Sequence, residues 1–475
     1  MTKMVIYMQK AGSEESCIKK FVRWLIDRTG AGDFTKTIIP RHALHPMYSL
    51  GGLASLMFFL LAFTGIIQLM FYVPAFGEEN IAYESVRHFT ESVPYGFVVR
   101  GIHSYAATLM ILLSMLHFLR VYFTGAYAKP RELTYIVGIV AGLLSIASAF
   151  LGYSLRMDHI SVEAIRIGQS LILQLPGGNW LYSLIFGSGA FDEVIPRFLA
   201  FHIGVAGLLG IILLLHFYMI HTHHISPPYD DSEPEPAIPF YPNFLFTELA
   251  VAVVVIGALV TFSAAFPPEL GFKFVFGKEL PVGQPEWYLM AMYALIKTGI
   301  DPVLAGLVIP SIGLLIFVIM PWVDPLYSRH PMNRRIATTY GLIFVGEYLM
   351  FFLYGQLTPG EQIPLINALL LAIAIALVMG YVGFRLTSKP VPPKRTQKQR
   401  SDDAPSYAVK VLLKNVWWIA GLLLVSALVL GGLGVLNHLS ENYYDAAMLF
   451  GSSIIMMGWS LFVAKIGLVD AKYLS

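Results

Sequence analysis

Four histidines carry the first chemical signal in this 475-residue chain. Thirteen histidines are present, most of them in polar stretches or at the ends of apolar ones. His103 and His117, however, fall well inside one apolar run, and His202 and His216 inside another. The members of each pair are 14 residues apart. Fourteen residues of α-helix turn through about 1400°, nearly four full turns, and rise about 21 Å. Both histidines of a pair therefore face one way, one near each side of a membrane. Two such helices set face to face make two His–His pairs stacked across the bilayer, which fits low-spin haem iron with two axial imidazoles. Ionisable side chains are expensive inside a membrane and are usually functional there. Isolated polar residues satisfied by neighbouring carbonyls are the bland alternative, and two equal spacings in separate helices speak against it.

Glycine repeats the pattern. Gly51 and Gly65 are 14 residues apart in the apolar run before the first histidine pair, and Gly138 and Gly152 are 14 apart in the run between the pairs. A haem edge needs close backbone approach, and glycine removes the side chain that would prevent it. Glycine pairs and histidine pairs alternate along the chain, so the pattern predicts a four-helix bundle holding two haems. Arg100, Arg120 and Arg197 lie near the histidines and are candidates to pair with haem propionates. Snorkelling to the membrane interface is their alternative role.

These residues must be positioned by membrane helices. Hydrophobic residues make up 56% of the chain and charged ones 13%, with mean hydropathy +0.65. A soluble chain carries about 25% charged residues. Ten apolar runs approach the ~20 residues that span a bilayer: 49–73, 97–123, 133–155, 198–222, 246–266, 303–323, 337–356, 363–384, 411–436 and 445–467. The runs are continuous rather than alternating, so they predict helices and not a barrel. The fold class expected is an all-α polytopic membrane protein with about ten spans.

Basic residues orient it. The first 41 residues hold Lys3, Lys10, Lys19, Lys20, Arg23, Arg28, Lys36 and Arg41. The second loop has Lys129 and Arg131, the sixth Arg329, Arg334 and Arg335, and the eighth Arg385, Lys389, Lys394, Arg395, Lys398 and Arg400. The fourth loop is acidic, with Asp230, Asp231, Glu233 and Glu235, and acids weigh little in positive-inside counting. Both termini are therefore expected in the cytoplasm. Cys17 is the single cysteine, so no cysteine-ligated cluster or C-x-x-C-H haem attachment fits within the chain. No cleavable signal peptide is expected. Residues 14–29 mix Phe21, Trp24, Leu25 and Ile26 with basic residues and predict a surface amphipathic helix, against membrane or protein. The divisions expected are a cytoplasmic segment over 1–47, the four-helix di-haem bundle over 48–225, further helices over 226–385, a Pro- and Lys-rich cytoplasmic linker over 386–409, and a two-helix pair over 410–475.

At this point the sequence resembles a known family. Arg100-Gly-Ile-His103 with His117 and Arg120, and Arg197-Phe-Leu-Ala-Phe-His202 with His216, look like the haem helices of cytochrome b from cytochrome bc complexes. Pro285-Glu286-Trp287-Tyr288 matches that family's P-E-W-Y signature, Ala149-Phe-Leu-Gly-Tyr153 resembles its A-F-x-G-Y helix end, and Ile238-Pro-Phe240 the stretch before its fifth helix. The resemblance covers about residues 14–385 and leaves out the last two spans. It implies that His103 and His202 ligate an outer haem and His117 and His216 an inner one. It implies an outer quinol site with Glu286 as proton acceptor and Tyr288 and Tyr293 beside it. It implies an inner quinone site with His221 and Glu248, the latter where the family has an aspartate. The implied activity is bifurcated quinol oxidation, with one electron leaving for a separate Rieske iron–sulfur partner and the other crossing to the inner quinone. Other respiratory subunits, a dimer of complexes and membrane lipid are the further partners implied, with no nucleic acid.

Departures qualify the match. Where the family continues V-L-P-W-G-Q, this chain has Ser154-Leu-Arg156-Met-Asp158-His159, a more polar outer wall. Ala164 replaces a common glycine, and Ser49 stands where chloroplast-type relatives have a cysteine holding an extra haem. Together with the two extra helices, these point to a divergent prokaryotic member in the cell membrane, archaeal origin included. Haem type stays open between haem b and haem A. The rival class is a proton-coupled secondary transporter with an intramembrane histidine relay, which would show inverted repeats and broken helices.

Overall fold

Apolar runs leave a backbone in lipid no hydrogen-bond partner but itself, and the computed structural model satisfies it with helices. The structure describes residues 17–29, 37–228, 237–324, 328–389, 391–392 and 407–466. The basic residues before Cys17, the acidic stretch 230–235 and most of the 386–409 linker lie outside the described residues. Among those described, ten helices are long and apolar enough to cross a membrane. The end of the molecule at which the first of these begins is here the lower end.

Helix α1 (Cys17–Thr29) carries the expected mixed face, with Phe21 and Trp24 stacked and exposed; residues 14–16 of that expectation are not described. Strand β1 (Ile38–Pro40) follows. Helix α2 (Pro46–Leu69) starts at a proline in its first turn, with the His45 side chain accepting from the Met47 amide, and runs upward. Helix α3 (Ile81–Ser92) lies across the upper end, and α4 (Gly96–Phe123) descends. Helix α5 (Glu132–Ser154) rises to a second upper-end group, α6 (His159–Leu173) and α7 (Gly178–Phe186), before α8 (Phe191–His223) descends. Strand β2 (Ala237–Pro239) pairs antiparallel with β1, Ile39 opposite Ile238, and leads into α9 (Leu245–Ala265). An upper loop then carries α10 (Met290–Ile296). Helices α11 (Ile309–Val323), α12 (Arg335–Leu357) and α13 (Leu365–Leu386) complete the eight-span block. The final pair is α14 (Tyr407–Leu439) and α15 (Tyr443–Lys465).

In the bundle, α2 packs along α4 and α5 along α8. Buried side chains gather at three heights. At the upper end Tyr83, Leu155, Met157, Ile165, Phe186 and Phe198 form a cap under α3, α6 and α7. At mid-height Met57, Met110, Ala141, Leu209 and Leu259 form a plug. At the lower end Tyr122, Tyr127, Tyr135, Phe317 and Met320 pack together.

The final pair docks on α9 through α15. A Cβ on Gly257 would lie 2.7 Å from the Gly451 carbonyl oxygen, and one on Gly458 2.9 Å from the Val254 nitrogen, so the two backbones nearly touch. Ser453 and Ser460 then donate across to the carbonyls of Ala427 and Ala420 on α14, at 2.7 and 2.8 Å.

The lower end is closed by a buried ion pair. Arg334 Nη2 meets Asp324 Oδ2 at 2.6 Å, the side chains only 1% and 2% exposed. Arg334 Nη1 donates to the Tyr122 and Phe123 carbonyls at 3.1 and 2.9 Å, and Tyr127 Oη donates to Asp324 at 2.8 Å. This knot joins the foot of α4 to α11 and α12. Removing one partner of such a pair leaves a buried charge uncompensated and typically costs about 3–5 kcal/mol. Arg334→Ala should therefore lower the thermal unfolding midpoint of the purified chain, and Arg334→Ala combined with Asp324→Ala should recover part of the loss. An unchanged midpoint in the single variant would show that the pair does not hold this end.

Candidate functional site

The four intramembrane histidines lie at two heights. His103 on α4 lies across from His202 on α8, and His117 from His216. The glycines fall at the same heights, one for each ring. A Cβ on Gly65 would sit 3.3 Å from His103 Cε1, and one on Gly152 2.8 Å from His202 Cε1. Lower down, Gly51 and Gly138 stand in the same relation to His117 and His216, at 3.1 and 3.2 Å. Each glycine thus makes room for an imidazole of the helix it packs on, where the sequence predicted room for a haem edge.

Hydrogen bonds orient the upper rings. The Thr64 hydroxyl donates to the Leu60 carbonyl at 2.6 Å, so its oxygen accepts from His103 Nδ1, 2.9 Å away. His202 Nδ1 donates to the Ser148 carbonyl at 2.9 Å. A proton fixed on Nδ1 leaves the Nε2 lone pair free to bind a metal. At the lower height His117 Nδ1 has no hydrogen-bond partner among the described residues.

The donor set suits a porphyrin-held iron. No cluster of three or more His, Cys, Asp or Glu side chains fit to hold a bare metal ion occurs among the described residues. Opposed imidazole pairs would hold such an iron through one nitrogen from each helix, and a macrocycle would supply its remaining bonds. The helices that carry the rings, α4 and α8, scarcely touch each other. A cavity of about 900 Å³ opens at the lower height, lined by Gly51, His117, Gly138 and His216. Arg120 also lines it, held over the Tyr48 ring at 3.7 Å, with its buried Nε and Nη2 lacking hydrogen-bond partners among the described residues. These atoms are placed for an anionic group such as a propionate. The other two arginines are more fully engaged. Arg100 donates to the Thr90 hydroxyl at 2.9 Å and to the Pro268 carbonyl, and Arg197 pairs with Glu193 at 3.1 Å one turn away.

The same cavity continues to a carboxylate. Glu248, near the foot of α9, accepts from Ser49 Oγ at 2.9 Å, and both residues line the wall. His223 lines it too, its Nδ1 3.4 Å from the Thr134 hydroxyl. His221, the residue suggested by family spacing, is exposed and stands outside the lining.

At the upper end Glu286 is an extended residue just before a tight turn over Trp287–Leu289. Arg156 Nη2 approaches its Oε1 at 3.6 Å, and Arg156 Nε lies 3.3 Å from Asp158 Oδ2. Tyr288 belongs to this group; burial pushes its hydroxyl pKa up, and Glu286 and Tyr153 push it further. The buried Tyr153 hydroxyl and Trp287 Nε1 have no hydrogen-bond partner among the described residues. Tyr293 is directed elsewhere: its hydroxyl accepts from the Gly360 amide at 3.2 Å, and Lys297 sits over its ring. The structure therefore joins Glu286 and Tyr288 with Arg156 and Tyr153, and sets Tyr293 against the 358–360 loop.

Comparison with known proteins gives two family matches in chain order. Residues 108–271 match the model described as cytochrome b (N-terminal)/b6/petB, and residues 281–376 the model for cytochrome b (C-terminal)/b6/petD. Cytochrome b of Sulfolobus acidocaldarius is 28% identical over 386 residues, which cover 72% of this chain and 66% of that protein. Cytochrome b6 of Heliomicrobium gestii is 36% identical over 215 residues, covering 44% of this chain and all of the relative. Among solved structures, a chain of a hyperthermophilic respiratory Complex III superposes with TM-score 0.63 at 21% identity, covering 78% of this chain and all of that one, a likeness of fold.

The paired rings generate a direct test. His103→Leu and His202→Leu should each lose haem from the upper height, and His117→Leu and His216→Leu from the lower. Gly152→Val should act like His202→Leu, because a Cβ there already crowds the ring at 2.8 Å. Haem per chain after mild purification decides: retention of the native haem content by all four histidine variants would overturn the assignment.

Proposed function

The chain belongs to the cytochrome b family, and from that footing we propose that it is the quinol-oxidising, di-haem subunit of a bc-type respiratory complex. The observation that carries this reading is the placing of four imidazoles at two heights, each backed by a glycine, with a carboxylate site near either end. The upper end is then the outer face of a prokaryotic cell membrane. Lys129, Arg131, Arg329, Arg334, Arg335 and Arg385 all fall at the lower end, which supports a cytoplasmic placing of it and of both termini. When bound, the two haems, of b or A type, supply one-electron carriers between the outer and inner sites.

The chain's own residues handle protons and binding. Quinol oxidation releases two electrons and two protons, and the Glu286 carboxylate accepts one proton from a quinol hydroxyl in the outer site. Tyr288, Tyr153 and Trp287 wall that site with polar atoms poised for the substrate. One electron leaves to a separate Rieske iron–sulfur protein, since Cys17 alone cannot hold a cluster. At the inner site Ser49, Glu248 and His223 hold the quinone and return protons to it on reduction. Moving one charge against 100 mV costs about 2.3 kcal/mol, so downhill quinol chemistry can drive the crossing and add to proton-motive force. A proton-coupled transporter would need helices broken at mid-membrane. Here α4 and α8 run unbroken through both histidine heights.

Glu286→Gln should keep the fold and both haems while lowering quinol oxidation about 100-fold, the low end for loss of a general base, because water partly substitutes at an outward-facing site. Turnover with a short-chain quinol and the Rieske partner tests it, and full activity would end the proton-acceptor role. At the inner site, Glu248→Ala and His223→Ala should slow re-oxidation of the inner haem by quinone more than reduction of the outer one, whereas His221→Ala should change neither step. Stopped-flow traces in which His221→Ala is the damaging variant would return the inner role to the residue suggested by family spacing.

A further inference from the structure

We propose that Arg156 is a positioning residue for Glu286: it anchors one carboxylate oxygen so that the other is presented to the quinol hydroxyl, and lets go when the proton arrives. This rests on the outer-site role of Glu286 proposed above.

The geometry begins with a fixed acid. Asp158 is 1% exposed and caps α6, its Oδ1 accepting from the Ser161 amide at 2.9 Å and the Ser161 hydroxyl at 2.6 Å. Its Oδ2 is hemmed in on the other side, where a Cβ on Gly271 would stand 2.9 Å away. The carboxylate therefore cannot follow a moving partner, and it faces Arg156 Nε at 3.3 Å as an ion pair without a formed hydrogen bond. Arg156 lies between this anchor and Glu286, with Nη2 at 3.6 Å from Glu286 Oε1. That distance is too long for a formed hydrogen bond. It is an electrostatic tether between side chains 24% and 33% exposed, soft enough to break in each turnover. Among the described residues Arg156 is the one cation paired with Glu286.

Two acids on one guanidinium give the tether its switching property. In the proton step the quinol O–H bond breaks, its electron pair stays with the quinol oxygen, and the proton binds the free oxygen of Glu286. The carboxylate becomes a neutral acid and its attraction to Arg156 falls away. Arg156 is not left bare, because Asp158 remains as its counter-charge. Glu286, on an extended loop rather than in a helix, is then free to turn and carry the proton out. A hydrophobic or neutral residue at 156 would give Glu286 neither a fixed ready position nor a charge-dependent release.

The test is a double-mutant cycle on the intact complex, using Arg156→Gln, Glu286→Gln, the double variant and Arg156→Lys. Arg156→Gln should lower kcat for quinol oxidation about 10-fold with KM nearly unchanged, the effect of a slightly misplaced reacting group. Arg156→Lys, which keeps the charge, should recover part of that loss. In the Glu286→Gln background, Arg156→Gln should add less than roughly 2-fold, because a residue acting only through Glu286 has nothing left to position. An equal 10-fold loss in both backgrounds would make Arg156 a structural residue and overturn the proposal, as would full activity of Arg156→Gln. If Arg156→Gln loses haem, Arg156→Lys runs the same cycle and is judged by the same non-additivity. A fully active Glu286→Gln enzyme would instead remove the outer-site reading itself.

Discussion

Everything in the bundle is subordinate to placing an imidazole where lipid would otherwise be. A histidine in the hydrocarbon region needs its ring oriented and its polar atoms satisfied. The space for it must come from the neighbouring helix, because helices already pack 8–10 Å apart, by general rule, on ordinary side chains. Glycine provides that space. Gly152 allows the His202 ring to approach to within 2.8 Å of where a Cβ would be, and the other three glycines do the same for their rings. Since ring and glycine must meet at both heights, the 14-residue spacing has to occur on both helices of each contact. Register between α2 and α4, and between α5 and α8, is then fixed without any ion pair. The plug at mid-height follows from the same spacing: Met110 and Leu209 lie midway between the histidines of their helices, and both are buried. The two heights are thereby separated by close-packed apolar side chains.

The ends are built by different means, which suits what each must do. The lower end is tied by a buried ion pair whose every partner is fixed, including two backbone carbonyls on α4. The upper end relies on short helices laid over an aromatic cap, and its charged groups reach between loops rather than within helices. Asn80 shows the principle, its side chain capping α3 while donating to the Met157 and Phe274 carbonyls at 2.9 and 3.2 Å. Such a rim is stable as a whole yet leaves single side chains such as Glu286 room to move.

How much of this the sequence disclosed depends on the kind of order involved. The ten spans and the 14-residue period shared by histidines and glycines were legible because periodicity and length are local properties; Leu365–Leu386, for one, lies within two residues of the apolar run that predicted it. The seating of each imidazole against a glycine was not legible. Helices α3, α6 and α7 were not foreseen, because 9–15 residues of mixed polarity carry no span signal and gain their stability from the cap they cover. The histidine lining the lower cavity shows a sharper limit. His221 and His223 are two residues apart on one helix, about 200° around its axis, so only the packed orientation of α8 selects the one that faces the cavity. Glu248 could be read from its place near the helix start, while its Ser49 partner, 199 residues earlier, could not. Arg156 was visible as an unusual residue, but its partner Glu286 lies in another loop, and no sequence period connects them.

The last two helices fit this physical scheme with few polar contacts, among them the Ser453 and Ser460 hydrogen bonds to α14 and His438 against the Tyr95 hydroxyl at 2.8 Å. Apolar surface in lipid gives no hydrophobic reward for helix association, so docking must come from close packing. Gly257, Gly451 and Gly458 give it, bringing the backbones of α9 and α15 into contact. That choice of helix has a structural consequence. Helix α9 holds Glu248 near its foot, rests on α4 through Ser263 against Gly101, and at its top leads to Pro268 and Gly271. Pro268 receives Arg100, and Gly271 confines Asp158. A shift of α9 along its axis would therefore disturb the carboxylate site at one end and the Asp158–Arg156–Glu286 series at the other. By packing backbone to backbone along it, α15 restrains a helix that holds Glu248 at its foot and leads at its top into the segment beside Asp158, and α14, bonded to α15 through Ser453 and Ser460, holds that restraint in place.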